Sequence, residues 1–63
     1  MDNTIRVERA KLDISQQDLA EKVNVSRQTI HSIERGKKIP SVELAIKMAQ
    51  FFKVSVEEIF LVK

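Results

Sequence analysis

The chain has 63 residues, no cysteine and a net charge of +2, with 43% hydrophobic and 32% charged residues. A length this short allows a single domain, residues 1–63, with a small core, and the missing cysteines exclude both a disulfide framework and a thiolate metal centre. No apolar run approaches the roughly 20 residues that a membrane-crossing helix needs. The charged opening MDNTIRVERAK does not read as a signal peptide, so a cytoplasmic location without a membrane partner is expected.

Serines punctuate the chain where helices should begin. Asn3 is the candidate cap for a first helix near 4–12, whose apolar stripe is marked by Ile5 and Leu12. Ser15, followed three residues later by Asp18, predicts a second helix near 16–23 with Leu19, Ala20 and Val23 inward. Asn24 falls where the chain must turn sharply, and asparagine tolerates the left-handed backbone that a helix end requires. Ser26 caps a third helix near 27–35 carrying Ile30 and Ile33. Ser41 caps a fourth near 42–53, in which Ala45, Met48, Ala49 and Phe52 recur at i, i+3, i+4 and i+7. Ser55 and Glu58 have capping-box spacing and open a fifth near 56–61, anchored by Val56, Ile59 and Phe60. The connections are short, so consecutive helices must pack as neighbours. The expected fold is an all-α, compact five-helix bundle.

The third helix carries the chemistry. With Ile30 and Ile33 inward, a rise of about 100° per residue turns Gln28 and Arg35 to the opposite side, flanked by His31 and Ser32. Arg27 and Thr29 border that face at its N-terminal end. Residues 27–38 hold Arg27, Arg35, Lys37 and Lys38 against the lone carboxylate of Glu34, so the chain's excess positive charge is concentrated there. A local basic patch is the electrostatic footprint of a phosphate-binding surface. Arginine can grip guanine O6 and N7 with two hydrogen bonds, glutamine can do the same for adenine N6 and N7, and serine bonds either base. Gln16 lies in the first turn of the preceding helix, where free backbone N–H groups favour an anion. Two short helices, a tight turn and a polar second helix form a helix-turn-helix over about 16–35.

The pattern Ser15-Gln16-x-x-Leu19-Ala20, Val23-Asn24-Val25-Ser26, Ile30, Ile33-Glu34, Gly36 and Pro40-Ser41 resembles the Cro/C1-type helix-turn-helix family, and the likeness runs from Ile5 to Phe60. That resemblance implies a lambda-repressor-like DNA-binding fold and a transcription regulator, expected to act as a repressor. It further implies a bacterial or phage-encoded protein, nucleoid-associated when bound. By the same resemblance, Arg27, Gln28 and Ser32 read bases, Ser26 lies against a base, Gln16 contacts phosphate, and Lys37 and Lys38 grip the backbone. His31 and Arg35 match no fixed family identity; the helix wheel alone assigns His31 to the base-reading face and Arg35 to phosphate. Asn24 stands where the family commonly has glycine.

Arg9 and Glu34 both fall near apolar stripes, and an unpaired buried charge is very costly, so the two are expected to pair. The resemblance implies the same bridge between the first and third helices. Its expected role is to fix the recognition helix rather than to add much net stability.

One such module reads few base pairs, so a homodimer on a palindromic double-stranded DNA operator is expected. Val56, Phe60, Leu61 and Val62 are the candidate dimer contacts, the alternative being that they seal the fifth helix onto the core. The competing class of function is a protein-interaction module on the same fold, antitoxin or coactivator-like, with or without binding to its own promoter. Arg27, Gln28, Lys37 and Lys38 favour DNA, because a protein-binding face more often offers aromatic anchors. Catalysis is not expected: the single histidine, His31, has no partner at nucleophile–base or metal-ligand spacing. No cofactor, metal or small-molecule ligand is expected either.

Overall fold

A computed structural model describes residues 2–61. Five helices make up most of the chain: α1 (Ile5–Leu12), α2 (Gln16–Lys22), α3 (Arg27–Glu34), α4 (Val42–Phe52) and α5 (Val56–Ile59). Two-residue strands, β1 (Asp2–Asn3) and β2 (Phe60–Leu61), pair antiparallel, with Asp2 opposite Leu61 and Asn3 opposite Phe60. The all-α class holds, and the termini add a small clasp to it.

Four of the five helices start on a serine whose hydroxyl accepts the backbone N–H three residues on: Ser15 from Asp18, Ser26 from Thr29, Ser41 from Leu44 and Ser55 from Glu58. Ser15 and Ser55 complete the reciprocal capping box, with the Asp18 and Glu58 carboxylates accepting from the cap residues' own N–H groups. Asp18 is held below its ordinary pKa, first by the Ser15 backbone N–H, then by the Ser15 hydroxyl, with Lys22 adding a smaller effect.

The ends of α1 to α4 share one solution. A residue with positive φ follows each: Asp13, Asn24, Gly36 and Lys53. In each case its N–H and the next one fold back onto the last turn's carbonyls. After α2, Asn24 N–H reaches Glu21 O at 3.4 Å and Val25 N–H reaches Ala20 O at 2.9 Å. After α3, Gly36 N–H reaches Ile33 O at 3.0 Å and Lys37 N–H reaches Ser32 O at 2.9 Å. This paired closure is the Schellman motif, and it satisfies carbonyls that would otherwise be orphaned. Asn24 therefore adopts the left-handed backbone expected of it.

The core is one cluster: Ile5, Leu19, Ala20, Val23, Ile30 and Ile33 from the first three helices, and Leu44, Ala45, Met48, Ala49, Phe52, Ile59 and Phe60 from the rest. Three expectations change. Leu12 is 48% exposed rather than buried with Ile5; it is the last residue of α1, and the chain turns away directly after it through the left-handed backbone of Asp13. Thr4, not Asn3, holds the cap position of α1 and its side chain makes no cap bond, although Asn3 Oδ1 accepts from Ile5 N–H at 3.3 Å. The amide nitrogen of Asn3 also donates to Ile33 O at 2.8 Å, satisfying a carbonyl in the last turn of α3. The fifth helix stops at Ile59 rather than 61, because Phe60 turns extended to pair with Asn3. Thr4 reinforces that closure, its N–H donating to Ile59 O at 2.8 Å and its hydroxyl to Glu58 O at 3.0 Å.

Among the candidate dimer residues, Phe60 is corrected: at 6% exposure it is committed to the chain's own core. Val56 packs against that core from its rim. The backbone of Leu61 pairs in β2, whereas its side chain and Val62 lie outside what is described.

Candidate nucleic-acid interface

The site grows from α3 outward. Ile30 and Ile33 seat the helix on the core, and Gly36 ends it so that Lys37 and Lys38 emerge, exposed, immediately beyond it. Ser26 begins it. Its hydroxyl accepts from Thr29 N–H at 3.2 Å and lies 3.0 Å from the Thr29 hydroxyl, so the cap already engages the oxygen that the family resemblance places near a base.

One network fixes the orientation of α3. Arg9 Nε donates to Glu34 Oε2 at 2.7 Å and Nη2 to Oε1 at 3.2 Å, a two-pronged pair linking α1 to α3. The side chains are only 15% and 6% exposed, so the pair is largely withdrawn from water. Arg9 Nη1 also donates to Ile14 O at 3.0 Å, tying in the α1–α2 turn. Gln16 Nε2 donates to Glu34 Oε1 at 3.2 Å, and Gln16 Oε1 accepts from Arg27 Nη1 at 3.5 Å. The chain Arg9–Glu34–Gln16–Arg27 thus joins three helices, and a planar guanidinium bonded to both carboxylate oxygens restricts rotation as a single-point contact would not.

Along the outer face, Arg27, Gln28 and Arg35 are exposed, while His31 and Ser32 are half-buried. Gln28 Nε2 donates to Ser32 Oγ at 3.4 Å, bringing two of the expected base-reading groups together one turn apart. The structure thus gathers Ser26, Arg27, Gln28, His31, Ser32 and Arg35 on one short helix and its caps. It puts Gln16 beside Arg27, and Lys37 and Lys38 just past the far end.

Two basic residues that the sequence reading did not single out line clefts flanking α3. Arg6 joins Arg9, Gln16, His31, Glu34 and Arg35 around one of them. Lys47 joins Thr29, Lys38 and the N-terminal part of α4 around the other. Arg6 lies three residues before Arg9, and residues so spaced share a helix face, so this neighbour was readable once Arg9 was placed against α3. Lys47 gave no such sign, since its neighbour across the cleft comes from another helix. Among the described residues, no helix is long and apolar enough to cross a membrane.

Comparison with known proteins agrees with this geometry. The helix-turn-helix family matches residues 5–59. An uncharacterized HTH-type transcriptional regulator of Methanocaldococcus jannaschii is 51% identical over 61 residues, covering 97% of this chain and 92% of that protein. An uncharacterized HTH-type transcriptional regulator of Archaeoglobus fulgidus is 43% identical over 61 residues, covering 97% and 86%. The Bacillus subtilis protein YgzD, also an uncharacterized HTH-type transcriptional regulator, is 40% identical over 60 residues, covering 95% and 91%. With its capped helix pair, its tethered third helix and these relatives, the chain belongs to the Cro/C1-type helix-turn-helix family of DNA-binding, non-enzymatic transcription regulators.

Proposed function

We propose that this protein represses transcription by binding a palindromic double-stranded operator as a homodimer, with α3 in the major groove of each half-site. The observation that carries the reading is the outward row on α3, held in fixed orientation by the Arg9–Glu34–Gln16–Arg27 network. An α-helix fits the major groove, and the row supplies the groups that discriminate bases there. Arg27, Gln28, His31 and Ser32 read base edges, and Ser26 touches a base while still capping the helix. Gln16 uses its second amide N–H for a phosphate, and Arg35, Lys37 and Lys38 hold others. Phosphate contacts give affinity and position; base contacts give sequence choice.

Two-fold symmetry would bring two recognition helices to half-sites roughly 34 Å apart, one turn of DNA. Val56 contributes to the seam, joined by Leu61 and Val62. Repression follows from occupancy: a dimer seated on an operator that overlaps a promoter excludes the polymerase.

The test is enrichment of random double-stranded DNA by the purified protein near about 0.15 M salt, followed by sequencing. A two-fold motif with half-sites about one helical turn apart is expected. An enriched but asymmetric motif would remove the dimer and keep the DNA reading. If the folded protein retained no DNA even at low salt, the reading would give way to a protein-interaction module.

A further inference from the structure

The cleft between α1 and α3, about 190 Å³, is lined by Arg6, Arg9, Gln16, His31, Glu34 and Arg35. Its charges are not balanced. Glu34 is the single carboxylate, and both its oxygens are taken by Arg9 and Gln16. The side chains of Arg6 and Arg35 form no ion pair or hydrogen bond with the other described residues. Two guanidinium groups from different helices therefore border one small recess with no anion to meet them.

The position of the recess decides its use. On the α3 wheel, His31, Glu34 and Arg35 lie on the side facing α1, whereas Thr29 lies on the side facing α4, about 160° from His31. Thr29 lines the other cleft, with Lys38, Lys47 and Glu43, whose carboxylate pairs with Lys47 at 3.2 Å. The recognition face is thus bordered on both sides by basic side chains, with Lys38 the one left without a carboxylate partner on the α4 side among the described residues. The major groove is likewise bordered on both sides, by the phosphates of its two strands.

We propose that the α1–α3 cleft seats a backbone phosphate of the DNA strand opposite the one held by Lys37 and Lys38, gripped by Arg6 together with Arg35. This rests on the DNA reading given above and adds α1 to the interface. Arginine suits the task, because its planar fork matches phosphate geometry. The network beneath the cleft keeps its floor in place, as Arg9 and Glu34 neutralise each other there.

The test is the salt dependence of affinity for a mixed-sequence DNA duplex, comparing the wild-type chain with Arg6→Gln, Arg6→Lys and Lys53→Gln. Losing one phosphate contact should lower the slope of log affinity against log salt by about 0.9, or ~3.5-fold in affinity over a fourfold rise in salt. Arg6→Gln should show that drop, and Arg6→Lys should recover most of it. Lys53→Gln should not show it, because Lys53 follows the C-terminal end of α4, about 16 Å along that helix from the end near Lys38. Thermal melts of Arg6→Gln should match the wild type, since Arg6 is exposed and its side chain holds nothing else in place.

An unchanged slope in Arg6→Gln, with the slope reduced when Lys37 and Lys38 are both replaced by glutamine, would overturn the proposal and leave the DNA reading standing. If inorganic phosphate bound the free protein through Arg6 while the DNA slope ignored Arg6→Gln, the cleft would belong to a free anion and the proposal would fall. No DNA binding by the wild-type chain at low salt would remove both.

Discussion

The helix-turn-helix and the terminal clasp are joined in opposite ways. In α2–turn–α3, most backbone closures span three to five residues: Ser15 and Ser26 at the starts, Asn24 and Gly36 at the ends. The clasp is built from pairs far apart in sequence: Asp2 with Leu61, Asn3 with Phe60, Thr4 with Ile59 and the Asn3 amide with Ile33 O. Local closure lets the helix pair form its shape early and cheaply, because short loops cost little entropy. The clasp must await the whole chain, so it locks the arrangement rather than creating it. The Arg9–Glu34 pair lies between these regimes, a long-range contact that anchors a locally made helix.

The largest effect should come from breaking that anchor. Arg9→Met strands the Glu34 carboxylate in a mostly dry position and is expected to cost about 3 kcal/mol. That is a large share of the roughly 3–9 kcal/mol available to a chain of this size, and urea unfolding would measure it. Replacing both partners, as Arg9→Met with Glu34→Leu, should restore most of the stability yet leave DNA affinity reduced. Full recovery of affinity in that double variant would show that the pair does not orient α3.

Next comes the clasp. Asn3→Ala removes the donor to Ile33 O and should cost about 1 kcal/mol. Hydrogen exchange should then rise at the end of α3 and in β2, while α2 stays protected. Loss of protection in α2 as well would mean that the clasp supports the helix pair directly.

A smaller and opposite change is expected in the turn. Asn24 holds φ at 62°, where a Cβ is strained, so Asn24→Gly should relieve that strain. Glycine's greater freedom in the unfolded chain offsets part of the gain, leaving about 0.5 kcal/mol of stabilisation at most. A destabilised Asn24→Gly variant would show that the asparagine side chain contributes something beyond its tolerance of the turn.

The smallest effect is pH-dependent. Asp18 is held below its ordinary pKa by Ser15, so its ionised form is favoured by folding. Its contribution is complete above the ordinary carboxylate value and fades as pH falls through the lowered folded one. Asp18→Asn should therefore be slightly less stable than wild type at neutral pH, with the gap closing in acid. A gap that stayed constant with pH would place the effect in something other than charge. Because Asp18 is fully exposed, the difference will be modest.

Much of the fold could be read from the chain alone, because its devices are local. A serine before a helical apolar period, a carboxylate three residues on and an asparagine at a turn each act within one helical turn of themselves. The outward row of α3 was legible for the same reason: once Ile30 and Ile33 face inward, the helical rise dictates the rest. The Arg9–Glu34 pair was readable because burial makes a lone charge intolerable. Other features depended on where distant segments arrive. Nothing near Asn3 announces that, besides accepting from Ile5 N–H, it will reach Ile33. The burial of Phe60, which turned a candidate contact into core, depends on the N-terminal strand that pairs beside it. Gln16 joining Glu34 to Arg27, and Arg6 meeting Arg35 across a cleft, each need helices from separate parts of the sequence to meet. Sequence by itself determined the helices, their ends and the face that α3 turns outward, since backbone and capping forces act over a few residues. Tertiary structure alone decided which polar groups that face leaves unpartnered, since pairing depends on distances that only packing sets.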